Sequence, residues 1–323
     1  MSGPAPAYLG LDLGTSGCRA IAIDPQGRPL AEHRVGLPRP DSPGEGWFEQ
    51  DPALWWCAVR ETLAGLTAGL PDRRIDALAV DGTSATLLLA APSGEPLSPA
   101  LMYNDRRAVE AAARVAAVAP LESPALGAGS SLSKLLHLAD RETRRPCHAL
   151  HQADWVAARL IGRPGLSDWN NALKLGYDPL HLAWPDWVTG LVPRGVELPR
   201  VLAPGAPMGW VAPDLGSRLG LSRATRVVAG TTDSTAAAIA AGASVPGDAV
   251  TCLGTTLVVK VVSARPLCSA AHGVYSHRFG DHWLAGGASN SGGGVLASFF
   301  DPGRLAELSS RIDPSRASGL DYY

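Results

Sequence analysis

Two apolar runs near the N-terminus, at residues 8–13 and 20–23, are joined by a short turn that reads Gly-Thr-Ser-Gly. Runs separated by so short a turn are typical of a β-hairpin. Such a turn exposes several backbone N–H groups in a small concavity, which can hold an anion such as phosphate. The hydroxyls of Thr15 and Ser16 and the guanidinium of Arg19 can add hydrogen-bond donors. An ordinary structural hairpin explains the same pattern equally well, so both interpretations stay open.

An acidic residue, Asp12, lies at the end of the first apolar run. Its carboxylate can therefore face the same cleft as the turn. A carboxylate beside a phosphate-binding turn makes chemical sense if a divalent cation lies between them. We accordingly take Asp12 as the candidate metal ligand.

The composition bounds the class of protein. A chain of 323 residues with 46% hydrophobic residues can build two domains with substantial cores, and its net charge of −2 shows no footprint for nucleic acid or an anionic membrane. The five cysteines are scattered and contain no CxxC pair, which argues against a disulfide framework or a zinc site and predicts a reducing, cytoplasmic location. No signal peptide and no membrane-spanning run are evident, so we expect a soluble protein.

Short strands and helices alternate along the chain, as in an α/β protein. Strands are expected at 8–13, 18–24 and 29–35. A helix should follow, with Asp51 as its N-cap and its end near Gly69. Further strands are expected at 75–80 and 85–91, and further helices at 131–139 and 153–161.

The residue pattern changes at Arg226. Two later strands, at 248–253 and 257–262, flank a second Gly/Thr turn formed by Gly254, Thr255 and Thr256. This arrangement is a weak internal repeat of the opening hairpin and indicates a second domain of similar build. We therefore predict two domains, at 1–225 and 226–323.

Nucleotide binding would need an unusual arrangement here, because neither the P-loop pattern nor GxGxxG occurs. Two Gly/Thr turns, one from each domain, could instead clamp a polyphosphate. Phosphoryl transfer also needs an acid that accepts the proton of the attacking hydroxyl, and Asp233 suits this role because it lies between a strand and a helix. Asp at such a place is also a common helix N-cap. The glycine-rich loop at Gly293 either approaches a nucleotide or forms a tight turn.

A series of modest motifs, in this order, resembles the FGGY family of carbohydrate kinases over essentially the whole chain. The motifs are Asp12-Leu-Gly-Thr-Ser-Gly-Cys-Arg19, Gly46-Trp-Phe-Glu-Gln-Asp-Pro52, Val80-Asp-Gly-Thr-Ser84, Tyr103-Asn-Asp-Arg-Arg107, Gln152-Ala-Asp-Trp155, Ser167-Asp-Trp-Asn-Asn-Ala-Leu-Lys-Leu-Gly-Tyr-Asp178, Gly230-Thr-Thr-Asp-Ser234 and Cys252-Leu-Gly-Thr-Thr256. The sixth motif, with Gly286-Gly-Ala-Ser-Asn-Ser-Gly-Gly-Gly294, is most similar to the xylulokinase-like branch that includes D-ribulose kinases.

The resemblance implies an α/β, actin/hexokinase-like (ribonuclease H-like) fold of two domains around a cleft, with ATP and Mg²⁺ as cofactors. It further implies phosphorylation of the terminal hydroxyl of a small ketose, D-ribulose before D-xylulose. The roles it implies for individual residues are these: Asp233 as the catalytic base and a sugar contact, Asp12 near Mg²⁺ and sugar, Ser84 and Asp105 in the sugar pocket, Thr15, Ser16 and Arg19 in the first phosphate motif, and Gly254, Thr255 and Thr256 in the second.

The chain also departs from the resemblance, because family members usually continue through a glycine-rich adenosine-binding segment. We therefore expect the second domain to be incomplete, and the chain as a whole to bind sugar but to bind ATP weakly. A non-catalytic sugar-binding regulator and an actin-fold ATPase are the alternatives. The exact sugar and the oligomeric state stay open, with a homodimer as one alternative.

Overall fold

The computed structural model describes residues 4–142, 146–253, 257–289, 292–313 and 315–316. It divides into two compact units, Met1–Gly242 and Ala243–Tyr323. None of the helices in these ranges combines the length and apolar character that a membrane crossing needs.

The first unit contains both strands and helices. Its strands are β1 (Ala5–Leu13), β2 (Gly17–Ile23), β3 (Pro29–Gly36), β4 (Glu49–Gln50), β5 (Arg73–Gly82), β6 (Leu87–Ala90), β7 (Ala100–Leu101), β8 (Cys147–His151), β9 (Leu166–Asp168), β10 (Val196–Glu197), β11 (Arg200–Leu202), β12 (Pro207–Trp210) and β13 (Arg226–Thr232). Its α-helices are α1 (Pro52–Ala68), α2 (Val109–Ala116), α3 (Ser131–Glu142), α4 (Gln152–Ile161), α5 (Asp186–Leu191), α6 (Pro213–Leu219) and α7 (Asp233–Ala240). A short 3₁₀ helix spans Ala172–Leu175.

The main sheet of this unit has six strands in the order β12-β13-β5-β1-β2-β3. The predicted hairpin is confirmed: β1 and β2 pair antiparallel, with Asp12 opposite Arg19, and β3 continues the meander. Leu9, Leu11 and Leu13 are buried, as expected for alternate residues of a strand with one face on the core. On the other side of β1, β5 pairs with β1 in the parallel direction, and β13 pairs with β5 in the parallel direction.

Helix α1 begins and ends where the sequence predicts. The side chain of Asp51 accepts a hydrogen bond from the backbone N of Ala53 at 2.9 Å, and Gly69 is the C-cap residue. On the inner face of the helix the indole of Trp55 is completely buried, and its Nε1 donates to Gln50 Oε1 at 2.6 Å. The helix therefore covers the meander with an apolar face on which the buried indole N–H of Trp55 is satisfied.

A second, five-stranded sheet in the order β10-β8-β6-β7-β4 completes the first unit, beside the short pair β9 and β11. Helices α2 and α3 pack together, and α3 packs on β6. Leu87 and Leu89 of β6 and Leu132, Leu135 and Leu136 of α3 are fully buried in the core between them. This core positions the loops that follow β5 and β7.

The first unit extends to Gly242, so the division at residues 225 and 226 that the sequence suggested is not where the structure divides. The reason is the long-range pairing of β13, which lies between β5 and β12 in the main sheet. Gly230 makes this close pairing feasible, because a Cβ there would lie 1.8 Å from the carbonyl oxygen of Val80. The chain therefore leaves the main sheet after β5 and returns to the same sheet at β12 and β13.

The second unit is a four-stranded antiparallel sheet, in the order β14-β15-β17-β16, followed by helices. Its elements are β14 (Ala249–Leu253), β15 (Leu257–Ser263), β16 (Tyr275–Phe279), β17 (His282–Ser289), α8 (Gly293–Phe299) and α9 (Pro302–Ser310). A short 3₁₀ helix spans Ala270–His272. The strands predicted on either side of residues 254–256 are confirmed as an antiparallel pair, with Leu253 opposite Leu257.

Candidate active site

Three acidic residues lie at the carboxyl edge of the main sheet. Asp12 and Asp81 are the penultimate residues of β1 and β5, and Asp233 directly follows β13. Asp12 and Asp81 are register partners, and Asp81 is also the register partner of Thr231. Because these three strands are neighbours and run parallel, their carboxyl ends bring the three side chains together, as is usual for ligand sites on α/β sheets.

Asp81 carries the strongest electrostatic signal at this edge. Burial raises its pKa to about 8, and the charges of Asp12 and Asp233 and a hydrogen bond with Asp12 act in the same direction. At neutral pH the Asp81 carboxyl therefore retains its proton, which it can donate to Asp12. Asp81 was not among the predicted site residues, although it ends a strand in the same way as Asp12.

The predicted metal ligand, Asp12, is half-buried at this edge. Within the described ranges, no three His, Cys, Asp or Glu side chains converge closely enough to hold a metal ion by themselves. In phosphoryl-transfer sites Mg²⁺ is usually held by one or two carboxylates together with phosphate oxygens and water. The Asp12 carboxylate thus fits a cation that arrives bound to phosphates. The described side chains around it do not form a metal centre made of protein ligands alone.

Asp233 is the first residue of α7, so the N-cap position belongs to Thr232. Its Oδ1 accepts a hydrogen bond from the backbone N of Ser234 at 2.6 Å, and the residue is half-buried. A carboxylate at a helix N-terminus is stabilised by the helix dipole. The geometry therefore holds Asp233 in place at the sheet edge beside Asp81 while leaving part of its surface exposed.

The turn predicted to bind phosphate borders a cavity of about 360 Å³, which Asp12, Ser16 and Arg19 help to line. The backbone N of Gly14 donates to the carbonyl oxygen of Gly17 at 3.0 Å, which closes the turn. Thr15 is half-buried in the turn and Ser16 is exposed. Two of the predicted donors, Ser16 and Arg19, thus line one polar cavity beside Asp12, whereas Thr15 does not line it.

A second arginine, Arg34 of β3, lines the same cavity. Arg34 is the cross-strand register partner of Arg19, and both side chains are exposed. Like charges placed directly opposite each other on a sheet are destabilising unless something lies between them. The pair is therefore suited to an anion, and it could not be predicted because strand register is not visible in the sequence.

Ser84 lies in a tight turn, residues 83–86, directly after β5. Thr83 anchors this turn: its N and Oγ1 donate to Gln152 Oε1 at 3.0 and 2.8 Å. Ala85 adopts a left-handed conformation with φ of 72°, which a non-glycine residue rarely does. Ser84 itself is half-buried. The turn thus presents the Ser84 side chain from a backbone that its neighbours hold in an uncommon conformation.

The other predicted sugar contact, Asp105, is completely buried. Its Oδ2 accepts hydrogen bonds from Phe48 N at 2.6 Å and Arg107 Nε at 2.9 Å, and its Oδ1 accepts one from Arg107 N at 3.1 Å. Arg107 also bonds to Glu49 at 2.7 Å and lies over the ring of Trp47. In this arrangement Asp105 holds Arg107 and the loop around it, and its contact with a sugar stays a prediction.

The segment 168–171 contacts the C-terminal end of β13. Asn170 Nδ2 donates to Thr231 Oγ1 at 2.9 Å, and Asn171 Nδ2 donates to Thr231 O at 3.2 Å. Asp168 organises the segment by accepting three hydrogen bonds from Asn170 and Asn171, although burial raises its pKa to about 7. Sequence resemblance pointed to this segment, but the contact with Thr231 places it next to Asp233.

Buried polar atoms without a hydrogen-bond partner also occur around these strand ends. Gln152 Nε2 and Asn170 Oδ1 are examples among the described residues. Each such atom costs about 1–3 kcal/mol. Unpaired polar atoms are expected at a site that binds a polar ligand or ordered water, because the ligand or the water can then satisfy them.

The predicted residues of the second unit are placed only in part. Gly293 is half-buried and is the first residue of α8. Gly254, Thr255 and Thr256 lie outside the described residues. Their role in binding phosphate stays a prediction.

The six-stranded sheet, with acidic residues at the carboxyl ends of its parallel neighbours β1, β5 and β13, is that of an α/β protein with a candidate ligand site at this edge. The model of the N-terminal domain of the FGGY family of carbohydrate kinases matches residues 7–240. The chain belongs to this family.

Named relatives and solved structures agree with this assignment. The chain is 27% identical over 277 residues to a xylulose kinase of Klebsiella pneumoniae, covering 83% of this chain and 57% of the relative. It is 30% identical over 282 residues to a xylulose kinase of Streptomyces coelicolor, covering 80% of this chain and 55% of the relative. This chain therefore spans little more than half the length of these two relatives.

Among solved structures, the fold is similar to xylulose kinase from Rhodospirillum rubrum, with a TM-score of 0.82 and 24% identity over 95% of this chain and 67% of that one. Glycerol kinase from Plasmodium falciparum with ADP has a TM-score of 0.82 and 16% identity over 97% of this chain and 68% of that one. At these identities the likeness shows the fold alone. It supports the predicted actin/hexokinase-like fold.

Proposed function

We propose that this chain is the sugar-binding and catalytic part of an ATP-dependent kinase that phosphorylates the terminal hydroxyl of a small ketose. The observation that carries the proposal is the convergence of Asp12, Asp81 and Asp233 at one sheet edge, with a donor-lined cavity bordered by Asp12. Carboxylates for proton transfer and donors for phosphate are the two groups that phosphoryl transfer to an alcohol requires.

In this proposal Asp233 accepts the proton of the attacking hydroxyl. Its exposure at the sheet edge leaves room for a substrate oxygen, and its bond to Ser234 N orients the carboxylate. Ser84 and, after rearrangement of its present bonds, Asp105 contact the sugar. Thr15, Ser16 and Arg19 hold phosphate. Gly254, Thr255 and Thr256, predicted as a second phosphate-binding turn, would also hold phosphate. Asp12 would ligate Mg²⁺, which when bound neutralises negative charge on the phosphates.

The sugar is proposed to be a pentulose. The sequence resemblance favours D-ribulose, whereas several similar proteins are named xylulose kinases. Pentuloses differ by single hydroxyl contacts, so one side chain in the pocket can decide between them. D-xylulose is therefore the direct competitor in any substrate test.

The decisive assay measures ADP release with and without a panel of ketoses and polyols. We expect release that depends on a pentulose. Release that ignores the sugar would identify an ATPase instead. Sugar binding without any ADP release would identify a non-catalytic regulator.

Removing the charge of Arg34 tests the phosphate cavity separately from the chemistry. We expect Arg34→Gln to weaken binding of inorganic pyrophosphate by about tenfold, because a charge-assisted contact is lost. Arg19→Gln should weaken it similarly, and titration calorimetry at low ionic strength measures both. The matched control is Arg28→Gln, since Arg28 lies at the opposite turn of the same meander, paired with Asp24 at 2.7 Å. Equal affinities in all three variants would remove Arg34 from the site.

A further inference from the structure

A completely buried lysine, Lys134, lies near the start of α3 and connects two loops of the first unit. Its Nζ donates hydrogen bonds to three backbone carbonyl oxygens: Ala85 O at 2.9 Å, Met102 O at 2.7 Å and Tyr103 O at 3.3 Å. Ala85 belongs to the turn after β5, whereas Met102 and Tyr103 belong to the loop after β7. One side chain thus bonds to two segments that are far apart in sequence.

The three acceptors match the three protons of an ammonium group. Burial nevertheless lowers the pKa of Lys134 to about 7, and the charges of Lys174 and Arg107 act in the same direction, while the charge of Asp105 opposes them. Burying a cation costs several kcal/mol unless its hydrogen bonds are satisfied. An apolar residue of similar length would fill the same space without this cost, so packing alone does not account for a lysine here.

The two segments that Lys134 joins carry the two predicted sugar contacts. Ser84 directly precedes Ala85, whose carbonyl accepts from Lys134 and whose φ of 72° is strained. Asp105 follows Tyr103 by two residues, and its backbone N donates to Met102 O at 3.0 Å. Each carbonyl that Lys134 binds therefore belongs to the short backbone segment that positions Ser84 or Asp105.

We propose that Lys134 is a positioning residue that fixes the turn at 83–86 and the loop at 102–105 relative to each other, so that Ser84 is presented to the sugar from a preorganised turn. The proposal rests on the proposed sugar-kinase function for the nature of the ligand. Preorganisation raises affinity because the loops need not be ordered when the sugar binds. Lys134 acts through these loops and need not contact the sugar.

The first test removes the three donors and keeps the length of the side chain, in Lys134→Met. We expect the dissociation constant for D-ribulose or D-xylulose, measured by titration calorimetry, to rise about tenfold. Hydrogen exchange read by mass spectrometry should show lost protection in 83–87 and 101–106, with β1 and β5 unchanged. A purely structural lysine would lower protection throughout the unit, and unchanged protection in both segments would overturn the proposal.

The matched control is Lys260→Met. Lys260 is also buried, but it lies in the second unit, where its Nζ is 3.2 Å from His277 Nδ1. We expect this variant to keep the sugar affinity and the exchange pattern of the first unit. If it weakens sugar binding as much as Lys134→Met does, the effect is not specific to the two loops.

A second measurement needs no variant and covers the case in which Lys134→Met fails to fold. In the unaltered chain, amides of the two segments should exchange with the same opening free energy, because one side chain links them. Independent opening of the segments would overturn the proposal. This measurement uses no sugar, so a chain that binds no sugar would refute the proposed function while the link between the loops was still tested.

Discussion

Replacing Asp233 by alanine is expected to abolish phosphoryl transfer while sugar binding largely survives. A general base contributes about 10²–10⁴-fold to a rate, so kcat in the ADP-release assay should fall by about that factor. The dissociation constant for the sugar should change by less than about threefold, because Asp233 is one polar contact among several. Asp233→Asn should be as inactive, since an amide accepts a hydrogen bond but does not accept the proton.

Asp186→Ala is the matched control for this experiment. Asp186 is the first residue of α5, as Asp233 is of α7, so both substitutions remove a carboxylate from a helix N-terminus. The helix-terminal charge is worth about 0.3–1 kcal/mol in each case. If Asp233→Ala turns over at a rate near that of Asp186→Ala, Asp233 is not the base.

Gly230→Ala should destabilise the first unit more than any exposed substitution in the chain. The added Cβ would lie 1.8 Å from Val80 O and 2.7 Å from Val80 C, both of which are backbone atoms that cannot move aside without separating β5 from β13. Overpacking usually costs about 1–3 kcal/mol, and this contact should cost at least about 3 kcal/mol of the free energy of unfolding. Urea titration followed by circular dichroism measures the change.

Gly190→Ala provides the reference for that measurement. Gly190 lies in α5, and a Cβ there meets nothing within 4 Å. Alanine is favoured over glycine inside a helix by about 0.5–1 kcal/mol. We therefore expect a small gain in stability, and a loss of less than 1 kcal/mol in Gly230→Ala would show that the two strands adjust easily.

Features that depend on neighbouring residues could be predicted from the sequence. The apolar alternation of β1 and the Gly-Thr-Ser-Gly turn predict the hairpin, and the Asp51-Pro52 pair predicts the start of α1. Asp12 and Asp233 could be chosen because each lies at the end of an apolar strand. The structure confirms these positions in the fold, while their chemical roles stay predictions.

Features that depend on distant pairing could not be predicted in this way. The first unit reaches Gly242 because β13 pairs with β5 across more than a hundred residues, and no local pattern shows that pairing. Asp81 becomes prominent only when the sheet places it between β1 and β13. Lys134 reads as an ordinary helix residue until its three carbonyl partners, which are 31 to 49 residues away, are known.

The opposition of Arg19 and Arg34 across the meander has a thermodynamic consequence. An anion that binds between the two guanidinium groups relieves their repulsion in the folded sheet and has no such pair to bind in the unfolded chain. Phosphate compounds should therefore act as stabilisers of the fold, by an amount set by their concentration relative to their dissociation constant. Folding of the N-terminal sheet and capture of phosphate are, in this sense, a single linked equilibrium.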